Sequence, residues 1–217
     1  MFEAAIFDWD GTLADTRQAI VTSFQKALSE VNCQVSNEYI ERRIGIGAAD
    51  TFRDILKSKG IIDEQLVKKL VKRKSEVQIE LTTKNQLFDG ARELLENLKG
   101  KIKAGLASMN NQAVISHQLE VNNLEEYFQV IVTVDDVSRS KPDPEIFLKT
   151  AQKLKVDNKE CVVFEDSIFG VKAAKTGGMS CIAVTTGVYT LQELQQEKPD
   201  LIVETLKDNR IVPFIRH

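Results

Sequence analysis

Two carboxylates lie close together near the amino terminus, in the segment Asp8-Trp9-Asp10-Gly11-Thr12. The apolar run Ala4–Phe7 comes directly before them and predicts a buried strand. Residues two apart at a strand end point to the same side, and Gly11 lets the backbone turn sharply there. Like charges held together in a partly buried place are costly unless a cation lies between them. The segment therefore predicts one of two things. It is either a site that binds a cation and does acid–base chemistry, or an ordinary polar turn after a strand. An EF-hand loop is excluded, because its required Gly and Glu are Leu13 and Ala19 here.

Three further chemical groups follow apolar runs that predict strands. Each has an ordinary explanation when taken alone: a turn with an N-capping acid, a routine helix N-cap or a surface lysine. A hydroxyl beside a helix N-terminus can also bind phosphate, and prolines on both sides can hold a lysine in place. The groups are the pair Glu165-Asp166 after Cys161–Phe164, Ser108 after Ile102–Ala107, and Lys141 in Lys141-Pro142-Asp143-Pro144 after Val130–Val134.

The elements that must position these groups alternate between strand and helix. Such alternation predicts an α/β fold, a Rossmann-like parallel sheet between two layers of helices. Asp143 is the predicted N-cap of one helix, with Pro144 at the first helical position. Two further strands are predicted over Cys181–Val184 and Leu201–Val203, and the core helices over Ala91–Leu98, Asn111–Glu120, Pro144–Leu154 and Ile168–Lys175.

The carboxyl ends of parallel strands share one edge of the sheet, where ligands bind in α/β proteins. We therefore expect three or four acids, one hydroxyl and one lysine to gather there. Oxygen ligands from several carboxylates suit Mg²⁺, which also accepts a substrate phosphate. The set is typical of phosphoryl transfer.

Residues from about 16 to about 84 interrupt the alternation and carry only amphipathic helical patterns. Helices are predicted over Ile20–Val31, Ala48–Ser58 and Glu64–Leu81. We predict an α/β core formed by residues 1–15 and 85–217, with an all-helical insertion over 16–84. Thr82–Leu87 would be the linker that returns the chain to the core.

Composition excludes several other classes of protein. A net charge of −3 without a basic stripe argues against a nucleic-acid binder. Two histidines are too few for a multi-histidine zinc site, and they argue against a Ser-His-Asp triad. Three widely spaced cysteines indicate no disulfide framework. There is no pattern of a signal peptide and no apolar run near the roughly 20 residues that span a bilayer. We expect a soluble cytoplasmic protein without a membrane partner.

The motifs together resemble the haloacid dehalogenase superfamily, in its phosphatase branch with a helical cap, similar to phosphoglycolate phosphatases and β-phosphoglucomutase. The resemblance covers the whole core, whereas the insertion matches a cap only in length and helical character. The matching residues are Asp8-Trp9-Asp10-Gly11-Thr12-Leu13, Ser108, Lys141-Pro142-Asp143-Pro144, and Glu165-Asp166-Ser167 with Gly170.

The resemblance implies a role for each matching residue. The reaction would pass through a phosphorylated aspartate, with Mg²⁺ as the cofactor. The implied roles are nucleophile and metal ligand for Asp8, general acid and base for Asp10 with its carbonyl on the metal, metal ligand for Asp166, support of the metal site for Glu165, and phosphate binding for Ser108, Met109 and Lys141.

The substrate implied is a small phosphorylated metabolite such as phosphoglycolate or a sugar phosphate. We expect the protein to be a monomer or a weak dimer. Arg43 and Lys74 are candidate cap contacts to the substrate, although Lys74 lies in a basic run that could simply face solvent.

Asp10 argues against a dehalogenase, which has no leaving alcohol to protonate. A sugar phosphomutase of the β-phosphoglucomutase type is an alternative. It is weakened because Ile20 stands where that enzyme has a histidine, and the place of its cap arginine falls near Ala48. A catalytically inactive phosphometabolite-binding or regulatory protein is an alternative of another class.

Overall fold

The computed structural model describes residues 1–82 and 87–216, and it contains one sheet of six parallel strands. The strand order is β3-β2-β1-β4-β5-β6, with helices on both faces. This arrangement confirms the predicted Rossmann-like α/β fold. The strands are β1 (Ala4–Phe7), β2 (Lys103–Ala107), β3 (Val130–Val132), β4 (Cys161–Glu165), β5 (Ser180–Val184) and β6 (Leu201–Val203).

Ten α-helices accompany these strands among the described residues, with short 3₁₀ turns between some of them. The first four fill the insertion and the other six belong to the core. They are α1 (Arg17–Ser29), α2 (Asn37–Glu41), α3 (Ala48–Ser58), α4 (Glu64–Leu81), α5 (Ala91–Leu98), α6 (Gln112–Asn122), α7 (Glu145–Leu154), α8 (Ile168–Thr176), α9 (Leu191–Gln196) and α10 (Ile211–Arg216).

The sheet separates two hydrophobic layers, because alternate side chains of a strand point to opposite faces. In β1, Ala5 and Phe7 pack with α5, α6 and α10, whereas Ala4 and Ile6 pack with α7, α8 and α9. Phe7 stacks on Phe164 of β4, with ring centroids 4.6 Å apart. The central strands are buried on both faces, as expected of a covered parallel sheet.

The start of α7 differs from its prediction by one residue. Pro144, not Asp143, occupies the N-cap position, and the helix begins at Glu145. Asp143 still acts as a local acceptor, because its Oδ1 atom accepts a hydrogen bond from the Glu145 N–H at 3.0 Å. The predicted N-cap is therefore wrong in position, although the acid does satisfy one free N–H of the first turn.

The insertion is an all-helical cap with its own hydrophobic cluster, built mainly from α1, α3 and α4. Phe24 and Phe52 form its centre, with ring centroids 4.7 Å apart. Residues 16–82 contain helices and turns but no strand. The predicted linker lies mostly in 83–86, and the predicted boundary at 84/85 lies there too, so both fall outside the described residues. The boundaries between core and cap stay a prediction.

The carboxyl ends of the central strands lie side by side. The register pairs Phe7 with Leu106 of β2 and with Phe164 of β4. The residues that follow these strands therefore meet at one edge of the sheet. Across the described residues, no helix combines the length and apolarity needed to cross a membrane.

Candidate active site

The first two carboxylates of the site are buried where β1 ends. The Asp8 N–H donates to the Phe164 carbonyl at 3.0 Å, which fixes Asp8 beside β4. Gly11 then adopts φ +88°, a left-handed conformation that favours glycine. The turn brings the Asp10 carboxylate back to the same edge, so the predicted pair does share one side of the sheet.

Both carboxylate oxygens of Asp10 accept hydrogen bonds from residues distant in the chain or in the cap. Thr16 Oγ1 donates to Asp10 Oδ1 at 2.6 Å, and Asn110 Nδ2 donates to Asp10 Oδ2 at 2.5 Å. Burial raises the pKa of Asp10 above its ordinary value, and these donors act in the opposite direction. Asp10 is therefore a fixed carboxyl group whose proton is held more tightly than in water.

Lys141 links the two acidic motifs. Its side chain is 1% exposed, and Nζ lies 2.6 Å from Asp8 Oδ1 and 2.5 Å from Glu165 Oε1. Burial opposes the charge on Lys141, but the two carboxylates outweigh burial and raise its pKa. The lysine is thus a permanent cation between Asp8 and Glu165.

Glu165 is occupied at both oxygens. Oε1 accepts from Lys141, while Oε2 accepts from the backbone N–H groups of Asp166 and Ser167 and from the Ser167 hydroxyl, each at 3.0 Å. Gly170 makes room for this carboxylate, because a Cβ there would lie 1.8 Å from Oε1. The arrangement anchors Glu165 and leaves its oxygens little freedom to bind anything else.

Asp8 and Asp166 each keep one oxygen that accepts no hydrogen bond from the described residues. Lys141 donates to Asp8 Oδ1, and Thr12 donates to Asp166 Oδ1 at 3.1 Å, so the Oδ2 atoms remain available. Burial raises the pKa of both carboxyls and the neighbouring acids add to it, whereas Lys141 acts in the opposite direction without cancelling the rise. Buried acids this close favour a bound cation.

A divalent metal fits this donor set. One oxygen from each of Asp8, Glu165 and Asp166 lies within 4.8 Å of the others, so the three form a buried cluster able to hold an ion. Carboxylate oxygens are the ligands of hard cations such as Mg²⁺. Since Glu165 is already saturated, Asp8 and Asp166 have the oxygens best placed to bind it.

The segment after β2 also reaches this edge. The Ser108 N–H donates to the Val132 carbonyl at 3.0 Å, and the fully buried Ser108 side chain accepts the Asn110 N–H at 3.1 Å. Asn111, the residue directly before α6, caps this helix by accepting a hydrogen bond from the Val114 N–H at 3.1 Å. Ser108 thus stands just before a helix N-terminus, as its place in the sequence predicts.

The cap supplies two cations near these groups. Lys74 is 4% exposed, and its Nζ donates to Asn110 Oδ1 at 2.7 Å and to Gln78 Oε1. Burial lowers the pKa of Lys74 to about 8. The alternative of a solvated lysine therefore fails for Lys74, whereas Lys72, in the same run, is 81% exposed.

Arg43 is the second cap cation. Its guanidinium lies over the Tyr39 ring at 3.8 Å from the centroid and 3.7 Å from Asp54 Oδ2. The Arg43 Nε atom is buried, and no described group accepts its hydrogen bond. A buried donor without an acceptor is costly, so this atom is suited to meet an oxygen from elsewhere.

Core and cap enclose a small space that we call the reaction cavity, with a volume of about 20 Å³. That is room for about one water molecule. The cap is therefore closed over the core. The lining consists of Asp8, Asp10, Met109 and Asn110 from the core and Ile20, Phe24, Arg43, Ile44, Gly45, Ile46, Ala48 and Lys74 from the cap.

Sequence reasoning gathered the acids and the lysine but missed the residues that hold them. Thr16 and Asn110 fix Asp10, and Thr12 fixes Asp166. Of these three residues, Thr12 alone lies inside a motif that the sequence analysis identified, so its role near the acids could have been suspected. Asn110 follows β2 at the same edge, but the sequence does not distinguish it from the neighbouring polar residues Asn111 and Gln112.

Comparisons with known proteins agree with this geometry. The sequence profile of a family described as haloacid dehalogenase-like hydrolase matches residues 5–184. A phosphorylated carbohydrates phosphatase from Thermotoga maritima is 33% identical over 216 residues, covering 95% of this chain and 99% of that protein. The pyrophosphatase PpaX from Oceanobacillus iheyensis is 29% identical over 205 residues, covering 94% and 92%. A β-phosphoglucomutase structure from Clostridium difficile has a TM-score of 0.86 at 25% identity, covering 99% and 97%.

Proposed function

Because the chain belongs to the haloacid dehalogenase-like hydrolase family, we propose that it is a Mg²⁺-dependent phosphomonoesterase. Its substrate would be a small phosphorylated metabolite, and its intermediate a phosphoryl group on Asp8. The observation that carries the proposal is the convergence of Asp8, Lys141 and Asp166 beside a second fixed carboxyl, Asp10.

In the first step a carboxylate oxygen of Asp8 attacks phosphorus, and the bond from phosphorus to the leaving oxygen breaks. Asp10 gives its proton to that oxygen, so an alcohol departs. In the second step Asp10 takes a proton from water, whose oxygen attacks phosphorus and releases phosphate and free Asp8. The raised pKa of Asp10 supports the first half of this exchange, because a proton must be present on the carboxyl when the substrate arrives.

Charge neutralisation accompanies both steps. Lys141 lies 2.6 Å from Asp8, where it can offset the charge that gathers on the phosphoryl oxygens. Mg²⁺ held by Asp8, Asp166 and the Asp10 carbonyl would supply the remaining positive charge. Glu165, anchored by four hydrogen-bond donors, would keep Lys141 and the Asp166 backbone in place.

We assign the remaining phosphate contacts to Ser108 and Met109, which follow β2 at the same edge. The reaction cavity is too small for a phosphorylated metabolite, so the cap must move to admit one. Arg43 and Lys74 would then meet the leaving group as the cap closes again. Two cations on the otherwise apolar cap side of the cavity favour a leaving group that carries negative or electron-rich oxygens, such as phosphoglycolate or a small sugar phosphate.

The sugar phosphomutase remains a second candidate because of the likeness to β-phosphoglucomutase. Two residues of the reaction cavity oppose it. Ile20 and Ala48 line the space next to Asp8 and Asp10, where the mutase resemblance calls for a histidine and an arginine. A mutase must hold the second phosphate of a bisphosphate intermediate, and these apolar side chains offer it no charge.

The test is turnover of p-nitrophenyl phosphate with and without Mg²⁺, followed by a panel of phosphoglycolate, sugar phosphates and pyrophosphate. We expect Mg²⁺-dependent release of phosphate and a clear preference within the panel. Interconversion of sugar 1- and 6-phosphates faster than phosphate release would favour the mutase. Inactivity of correctly folded protein in every condition would favour a binding protein.

A further inference from the structure

A second space, which we call the side cavity, lies beside the acid cluster and has a volume of about 150 Å³. Among the residues that the structure describes, it shares only Ile44 with the reaction cavity. Its volume is room for several water molecules, whereas that of the reaction cavity is room for about one. Its lining includes Gly11, Asp15, Ile44, Asp166, Thr186 and Gly187.

The free oxygen of Asp166 lies at the wall of the side cavity. A Cβ at Gly11 would lie 2.2 Å from Asp166 Oδ2, and a Cβ at Gly187 would lie 1.9 Å from it. Both glycines line the side cavity, so no side chain separates this oxygen from it on those two sides. Asp166 is 3% exposed, and none of the described donors reaches Oδ2. The oxygen is therefore an acceptor that takes no hydrogen bond from the described residues and that borders the side cavity.

The cap wall of the reaction cavity and the side cavity carry charges of opposite sign, whereas Asp8 and Asp10 lie on the core wall of the reaction cavity. The cap side of the reaction cavity carries the cations Arg43 and Lys74. The side cavity carries the acids Asp15 and Asp166, and its one cation, Arg17, is paired with Glu41 at 2.7 Å. A divalent cation is attracted to the second set of charges and repelled by the first, whereas an anionic substrate has the opposite preference.

We propose that the divalent metal ion enters and leaves through the side cavity, past Asp15, while the substrate uses the cap side. The ion would meet Asp166 Oδ2 first and then Asp8. Metal exchange would therefore continue while the cap is closed. The inference rests on the proposed function, in which Asp8 and Asp166 bind Mg²⁺.

Two obstructing substitutions separate the routes. Val188→Phe fills the side cavity, and Ala48→Phe fills the reaction cavity. Mg²⁺ dissociation is followed in a stopped-flow instrument by mixing loaded protein with the fluorescent chelator mag-fura-2, and association by the reverse competition. Val188→Phe is expected to slow both rates by the same factor, which leaves the Mg²⁺ dissociation constant unchanged. Ala48→Phe is expected to weaken substrate binding without changing either rate.

A charge reversal at the mouth is the second test. Asp15→Lys should slow Mg²⁺ association by about tenfold at low salt, because the field in the cavity changes sign. The difference should shrink as added salt screens the charge. Glu120→Lys is the matched control, since it makes the same change in net charge at an exposed residue of α6 that lines neither cavity.

The outcomes distinguish this inference from the function on which it rests. Unchanged Mg²⁺ kinetics in Val188→Phe, or slowed kinetics in Ala48→Phe, would overturn the route and leave the phosphatase intact. Equal effects of Asp15→Lys and Glu120→Lys would also overturn it. Wild-type protein that binds no Mg²⁺ would overturn the metal site itself, and with it the route. Circular dichroism on each variant shows that it is folded.

Discussion

The core and the cap differ in how their buried charged groups are paired. In the core, Lys141 sits between two carboxylates, and Glu165 has a donor for each oxygen. Among these acids, Oδ2 of Asp8 and Oδ2 of Asp166 accept no hydrogen bond from the described residues. In the cap, Lys74 has its pKa lowered to about 8, and Arg43 Nε has no acceptor among the described residues. The core charges are thus paired before substrate binds, whereas in the described part of the chain Lys74 donates only to neutral amide oxygens and Arg43 Nε to no group.

Of the substitutions that test this difference between core and cap, Asp8→Asn in the core should cause the largest loss of turnover. The amide keeps the shape of the side chain but cannot accept a phosphoryl group as a carboxylate does. We expect turnover to fall by roughly 10⁴-fold or more, in line with the loss of other nucleophiles. Steady-state hydrolysis of p-nitrophenyl phosphate measures the loss, and circular dichroism checks the fold. Activity within tenfold of wild type would contradict a nucleophilic role.

Asp10→Asn should have the next largest effect, because it removes the proton donor and acceptor but keeps the nucleophile. We expect a fall of about 10²–10⁴-fold in steady-state turnover. p-Nitrophenol is a good leaving group that needs little protonation, so the first step should survive better than the second. Rapid mixing should then show a burst of p-nitrophenol followed by slow turnover. Loss of the burst together with turnover would mean that Asp10 acts mainly on the first step.

In the cap, Lys74→Met should stabilise the protein at pH 7. The pKa of Lys74 is about 8 in the folded state and about 10.4 in the unfolded chain. Below pH 8 both states are protonated, and the folded state carries the full cost of the buried charge, on the order of 3 kcal/mol. That cost falls as pH rises from 8 to about 10.4, so wild-type stability increases through this window.

Chemical denaturation of wild type and Lys74→Met across this pH range measures the difference. The variant should be more stable at pH 7, and the gap should narrow towards pH 10.4. Lys72→Met changes an 81% exposed lysine of the same helix and should show no such trend. A gap that is independent of pH would show that the charge on Lys74 costs nothing in the folded state.

The smallest expected effect is that of Arg43→Ala, which tests the selection of substrate. We expect kcat/KM to fall by about 10–100-fold for a substrate with an anionic leaving group such as phosphoglycolate. p-Nitrophenyl phosphate should change little, because its leaving group has no second anion. Equal losses for both substrates would place Arg43 in the general structure of the cap rather than in contact with the leaving group.

Much of the fold follows from local patterns in the sequence. The helices Ala48–Ser58, Glu64–Leu81 and Ala91–Leu98 have the predicted bounds, because each shows a clear apolar face over two turns or more. The family and the phosphatase class were likewise confirmed. Helices α2, α9 and α10 were missed, since five or six residues are too few to establish a period.

Part of the candidate site could likewise be predicted from the sequence, and part could not. The convergence of Asp8, Lys141 and Asp166 could be predicted, because parallel strands place their carboxyl ends at one edge. The inward direction of Lys74 could not be predicted. It depends on how the cap packs against the core, through the contact with Asn110, and no pattern in α4 separates Lys74 from its exposed neighbours.

The central claim is that the phosphoryl group passes through Asp8, and trapping that group tests it most directly. Asp10→Asn protein is mixed with substrate and Mg²⁺, quenched in acid within the burst, digested with pepsin and mapped by mass spectrometry. We predict one phosphorylated peptide, with the modification on Asp8, that is absent from Asp8→Asn/Asp10→Asn protein. A burst without any phosphorylated peptide, or with phosphate on another residue, would contradict the account.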